Sequence, residues 1–209
     1  MKRKIVVATT NVGKIAELSA MLDADVEWLS LGDFDGIEEV AEDGVTFAEN
    51  ARKKALGYAE ATGCWAIADD SGLCVDALDG APGVHSARFS GPKIEDEQRG
   101  LIDHRNIEKV LALMKDVPAE KRTARFMCSI CVAKPGEVLA ETEGKCEGSI
   151  TRKEAGENGF GYDPVFFVES LNKTLGQSSS EEKNKISHRG NAIRNLRNPL
   201  IKLLLPTND

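Results

Sequence analysis

The chain has 209 residues, of which 41% are hydrophobic and 29% charged, enough for one domain with a substantial core. Its formal net charge of −7 argues against broad electrostatic binding to nucleic acid. No apolar stretch approaches the roughly 20 residues of a membrane span, and the run after Lys2-Arg3-Lys4 is too short for a signal peptide; no membrane partner is expected and the cytoplasm is the default.

Residues 4–9 read as a buried strand, with Asn11 capping a helix over about 14–22. A second strand covers 26–30, and the acidic stretch 32–44 is a long loop of the kind that is often functional. Thr46-Phe47-Ala48-Glu49 fits a capping box that opens a helix to about Thr62. A strand over 65–68 should end in the turn Asp69-Asp70-Ser71-Gly72, with another strand over 73–78. A helix is expected over 95–114, with Ile107, Val110, Leu111 and Met114 on one face. Segments 125–133 and 138–142 form a hairpin through Pro135-Gly136. Gly156, Gly159 and Gly161 mark a flexible loop before a strand over 164–168. The last helix starts near Ser187, and Pro199 should kink or divide it. This alternation indicates α/β architecture, a mixed sheet flanked by helices, in a single domain over 1–209.

Cys64, Cys74, Cys128, Cys131 and Cys146 are odd in number and lack the spacing of a disulfide framework. Cys128-Ser129-Ile130-Cys131 matches C-x-x-C, yet on a strand these two positions point to opposite faces. Buried structural thiols are the expected reading.

Four polar clusters sit at segment junctions. Thr9-Thr10-Asn11-Val12-Gly13-Lys14 is a strand-to-helix turn whose amides can receive an anion, although it is not a Walker A loop. Asn50 and Lys54 share one face of the second helix, where a solvated face is the default reading. Asp69 and Asp70 can hold a hard divalent cation and activate a water, or simply form a solvated turn. The last cluster joins Gly159-Phe160-Gly161-Tyr162-Asp163 to Lys183, His188 and Arg189; rings between glycines can stack on a base. The basic segment from Lys183 to Lys202 is either a phosphate rim or the solvated face of a helix.

The ordered set TTNVGK, TFAENARKKA, ADDSGL, GAPGVHSARFSG, GFGYDP and EEKNKISHRG closely resembles the purine nucleoside triphosphate pyrophosphatases of Ham1/RdgB type. These are hydrolases of inosine and xanthosine triphosphates. The resemblance implies an elongated, two-lobed ITPase-like fold with a cleft, a magnesium ion (Mg2+) and a homodimer. It implies hydrolysis of ITP, dITP, XTP and dXTP to the monophosphate and pyrophosphate, which keeps these nucleotides out of DNA and RNA. Carried over by motif, Thr9, Thr10, Asn11, Val12, Gly13 and Lys14 bind the triphosphate, Lys54 reaches phosphate and Ser71 touches substrate. Asp70 is the proton acceptor and a metal ligand, with Asp69 as support or second ligand; Glu42 is preferred over Glu39 as the other metal carboxylate. Phe160, Gly161, Tyr162 and Asp163, completed by Lys183, His188 and Arg189, bind the base. Donors from Arg189, His188 or nearby backbone amides would suit a 6-oxo purine and oppose adenine.

Two other readings stand beside this one. A catalytically silent nucleotide-binding module would be expected to have lost the acidic pair, which is present. A phosphohydrolase for another metabolite would have no need of the aromatic-glycine loop.

Overall fold

The computed structural model describes residues 2–9, 12–92, 94, 95 and 97–205, with only the backbone at 12–14 and 17. Among these residues the elements are β1 (Arg3–Val7), α1 (Val12–Leu22), β2 (Val26–Ser30), α2 (Phe47–Thr62), β3 (Trp65–Val75), α3 (Arg99–Leu113), β4 (Thr123–Lys134), β5 (Glu137–Ile150), β6 (Phe166–Val168), β7 (Lys173–Thr174), α4 (Ser180–Ile186) and α5 (His188–Leu204). The strands form one sheet in the order β2-β1-β3-β4-β5-β6-β7. β1 pairs in parallel with β2 and β3, whereas β6 pairs antiparallel with β5 and β7, so the sheet is mixed. The expected α/β class is therefore observed.

The chain forms two compact units. The first comprises Met1–Asp70, Cys128–Gly144 and Arg189–Asp209; the second comprises Ser71–Met127 and Lys145–His188. In the first unit, period-two alternation sorts the core onto both faces of the sheet. Ile5, Val7, Ile67, Cys128 and Ile130 pack with Leu18 and Leu22 of α1 and with Ala192, Ile193, Leu196 and Leu200 of α5. Val6, Ala66, Ala68, Cys131 and Ala133 pack on the other side with Ala51, Ala55 and Ala59 of α2. The two cysteines of the C-x-x-C run thus belong to different cores. Burial pushes the Cys128 thiol up and raises Cys131 to about 12. In the second unit Leu73, Val75, Ile107, Val110, Met114, Phe126 and Phe166 share one core.

Several local expectations are corrected. β3 runs unbroken through Asp69-Asp70-Ser71-Gly72, so the acidic segment is strand rather than turn. Its carboxylates meet side chains from two helices, and these tertiary partners replace the local bonds that favour an Asx-turn. α3 starts at Arg99, four residues late; before it Ile94 and Glu97 bond to each other, Glu97 accepting from the Ile94 amide at 3.1 Å and donating its own amide to the Ile94 carbonyl at 3.0 Å. β5 extends to Ile150, well past the expected end at 142. α5 is not divided at Pro199 but runs through it, with fully buried Leu196 and Leu200 anchoring it on either side. A short helix, α4, opened by a Ser179–Glu182 capping box, precedes α5 and has no counterpart among the expected elements.

Candidate active site

In the first unit, the N-terminal half of α2 faces Asp70. Thr46 caps the helix, its Oγ1 accepting from the Glu49 amide at 3.1 Å. The other half of the expected box is displaced by one residue: Glu49 accepts from Val45 N, not Thr46 N. Asn50, 1% exposed, spans two partners, with Oδ1 accepting from Gly44 N at 2.8 Å. That bond turns the amide's Nδ2 toward Asp70 Oδ2, 3.0 Å away. One helical turn on, Lys54 Nζ lies 3.2 Å from Glu42 Oε1 and 3.9 Å from Asp70 Oδ1. All three side chains are sheltered, Lys54 and Asp70 to about an eighth exposed.

The acidic loop before α2 is tied down along its length, which is what delivers Glu42. Val40 packs where a Cβ on Gly57 would sit, and its amide donates to Tyr58 Oη at 3.4 Å. Lys53 pairs with Asp43, and Gly44 meets Asn50 so closely that a side chain there would collide with the amide. Glu39, the alternative ligand, is exposed.

Asp69 does not join this group. Strand alternation sends it to the opposite face, the face of Ile67, where Arg189 Nη2 and Nε contact its Oδ2 at 2.8 and 3.2 Å. A cavity of about 20 Å³, roomy enough for a single water, is lined there by Val7, Thr9, Asp69, Ile130, Arg189 and Ile193. Of the segment expected to bind the triphosphate, Thr9 is described, its carbonyl accepting from Leu31 N at 3.3 Å. Thr10 and Asn11 lie outside the described residues, and Val12, Gly13 and Lys14 are described only as the opening backbone of α1.

The second unit contains the aromatic-glycine loop and Ser71, a half-exposed residue of β3. Here the structure divides residues that sequence reading had grouped. Phe160 is 54% exposed, whereas Tyr162 is 3% exposed and donates its hydroxyl to the Ser86 carbonyl at 2.9 Å. Burial, reinforced by the Asp103 carboxylate, raises the Tyr162 phenol well above its ordinary value. Asp163 is buried, accepts from Phe160 N at 2.9 Å and is ion-paired to Lys183. Its carboxyl is raised by burial, with Lys183 opposing the shift. Gly159 must be glycine: its φ is +80°, and a Cβ would fall 2.0 Å from Asp163 Oδ2. The Lys183 ammonium also stands 4.4 Å from the centre of the Phe160 ring, covering one side of it. His188 is buried and stacks on Phe126, with centroids 4.9 Å apart and planes at 17°.

The amides of Phe160 and Gly161 are taken up by Asp163 and Asp103. The basic C-terminal segment is likewise largely neutralised: Lys183, Lys185, Arg189 and Arg197 pair with Asp163, Glu181, Asp69 and Asp23. The sequence places Asn50 on one face with Lys54 and carries no sign of its hold on Asp70. Asp103 was missed entirely, since it looks like any acid on an amphipathic helix.

A mixed α/β sheet carrying a carboxylate–lysine–carboxylate cluster narrows the class of protein. The model of the Ham1 family matches residues 5–199, and the chain belongs to that family. It is 50% identical over 192 residues to a protein of Desulforamulus reducens named dITP/XTP pyrophosphatase, covering 91% of this chain and 92% of the relative. A Bacillus cereus protein of the same name is 48% identical over 197 residues, 93% of each chain. The solved structure of the Staphylococcus aureus Ham1 protein superposes with a TM-score of 0.85 at 40% identity, covering 96% of this chain and 100% of that one.

Proposed function

We propose that this protein is a nucleoside triphosphate pyrophosphatase that hydrolyses ITP, dITP, XTP and dXTP to the monophosphate and pyrophosphate. The observation that carries the reading is the Glu42–Lys54–Asp70 cluster: two carboxylates already gathered around one cation. The names of the relatives at about half identity point to the same activity. Magnesium suits this donor set, because it is commonly held by one or two carboxylates together with substrate phosphates. Glu42 and Asp70 would hold it, and once bound it would neutralise triphosphate oxygens and polarise the attacked phosphorus.

The chain's own groups do the rest. Asp70 accepts the proton of the attacking water as its oxygen bonds to the α-phosphorus and the α–β bridging bond breaks, releasing pyrophosphate. Asn50 can only donate toward Asp70, because its oxygen is engaged by Gly44; it therefore favours the ionised carboxylate that a base requires. Lys54, with Thr9 to Lys14, offsets phosphate charge. Phe160 offers a base the ring face that Lys183 does not cover. Arg189 and His188 supply the donors that suit a 6-oxo group, with Asp69 orienting Arg189. Ser71 contacts substrate. Tyr162 and Asp163 support the loop from beneath instead of touching the base. The protein is proposed to act in the cytoplasm as a homodimer; no described helix is long and apolar enough to cross a membrane.

Replacing Arg189 by Ala tests the selectivity assignment. ITP and XTP should lose their advantage over ATP in kcat/KM; an unchanged preference would move that role to another residue.

A further inference from the structure

The turn that presents Phe160 is pinned at three successive residues, all within the second unit. Phe160 N is held by Asp163, Gly161 N by Asp103 and the Tyr162 hydroxyl by the Ser86 carbonyl. The last two attachments lead to one helix face. Asp103 and Asn106 are three apart on α3, and Asn106 Nδ2 donates to the Ser86 carbonyl at 3.3 Å while its Oδ1 accepts from Ser90 N at 2.7 Å. Asp103 is 8% exposed and both of its oxygens are engaged, Oδ2 by Gly161 N at 2.8 Å and Oδ1 by Arg99 Nε at 3.1 Å. Gly161 has a φ of +60°, a conformation the chain adopts in this turn with its amide fixed by that single carboxylate.

We infer that Asp103 is a positioning residue for base recognition, its carboxylate fixing the Gly161 amide and with it the turn that carries Phe160. The inference rests on the proposed oxo-purine specificity. Asp103 acts through the loop and touches no substrate. A neutral acceptor of the same shape should serve nearly as well: an Asn oxygen can still receive the Gly161 amide, while Arg99, whose side chain is 65% exposed, turns to water.

Binding of IMP, AMP and inorganic tripolyphosphate to the full chain, measured calorimetrically, tests this. Asp103→Ala should weaken IMP by about tenfold or more, the effect of losing one hydrogen bond to a charged acceptor, and leave tripolyphosphate within about twofold. Asp103→Asn should restore IMP binding to near the parent value. The inference is overturned if Asp103→Ala binds IMP as the parent does, if it loses both probes in equal proportion, or if Asp103→Asn is equally damaging. Should Asp103→Ala fail to fold, Asp103→Glu, which keeps the charge but displaces the acceptor, should also weaken IMP; unchanged binding would overturn the inference. A parent protein that binds IMP no better than AMP sinks the oxo-purine reading itself. Preference for IMP in the parent with no effect of Asp103→Ala sinks the positioning role alone.

Discussion

The cluster around Asp70 and the loop around Phe160 solve opposite problems. At Asp70, ionisable side chains are brought together and left sheltered but not sealed, with Lys54 between two carboxylates. At Phe160, the Asp163 and Asp103 carboxylates are turned inward to hold backbone, and the Phe160 ring is left outward. Under the proposed function, charge in the first region is the working chemistry and charge in the second is scaffolding. Substitutions that preserve shape but change charge should therefore damage the first region most, whereas the second should respond to loss of shape.

The largest effect is expected at Asp70. Asp70→Asn keeps the shape and removes the base, so turnover should fall about 10³-fold or more while the melting temperature stays close to that of the parent. Pyrophosphate release and thermal unfolding on the same preparation check both halves; retained activity would move the base elsewhere. Asn50→Asp comes next. It replaces a donor by an acceptor against Asp70 Oδ2, and a drop of about 10- to 100-fold in kcat, or in the apparent affinity for magnesium, is expected. A variant as active as the parent would show that the Asp70–Asn50 bond does not matter to the reaction.

The loop gives smaller numbers and a different pattern. Phe160→Ala should raise KM for ITP by about tenfold with little change in kcat, since stacking is worth about 1–3 kcal/mol per base. Tyr162→Phe removes only the buried bond to Ser86 and should cost about 1 kcal/mol of stability, read by urea unfolding, with KM nearly unchanged. If Tyr162→Phe raised KM as much as Phe160→Ala, the division into an outward ring and an inward ring would fail.

These contrasts also explain what could be read in advance. The α/β order, the hairpin through Pro135-Gly136 and the opposite faces of Cys128 and Cys131 follow from periodicity and turn residues, and the structure has them. Asp70 was nameable from residue type, whereas Lys54 and Glu42 were nameable only through the motifs that resemble a known family. The unbroken path of β3 was not, because Asp, Ser and Gly favour turns until partners distant in sequence satisfy them. Likewise Phe160 and Tyr162 look equivalent in a G-F-G-Y-D run. Only the packing of Ser86 and α3 decides which ring is buried.

The smallest predicted effect concerns the thiols. Burial raises Cys131 to about 12 and Cys146 to about 11 from the usual 9.0, so the unfolded chain releases these protons first. Their contribution to stability is complete below about pH 9 and declines as pH rises toward 11 and 12. Alkaline unfolding curves should show this decline, and replacing Cys131 by Ala should flatten it.

Magnesium-dependent pyrophosphate release, measured across ITP, XTP, dITP, GTP and ATP, tests the central claim most directly. The account predicts that the oxo-purine substrates ITP, XTP and dITP are cleaved far faster than ATP, and that chelation of the metal stops the reaction. Cleavage of ITP and XTP no faster than ATP would contradict it.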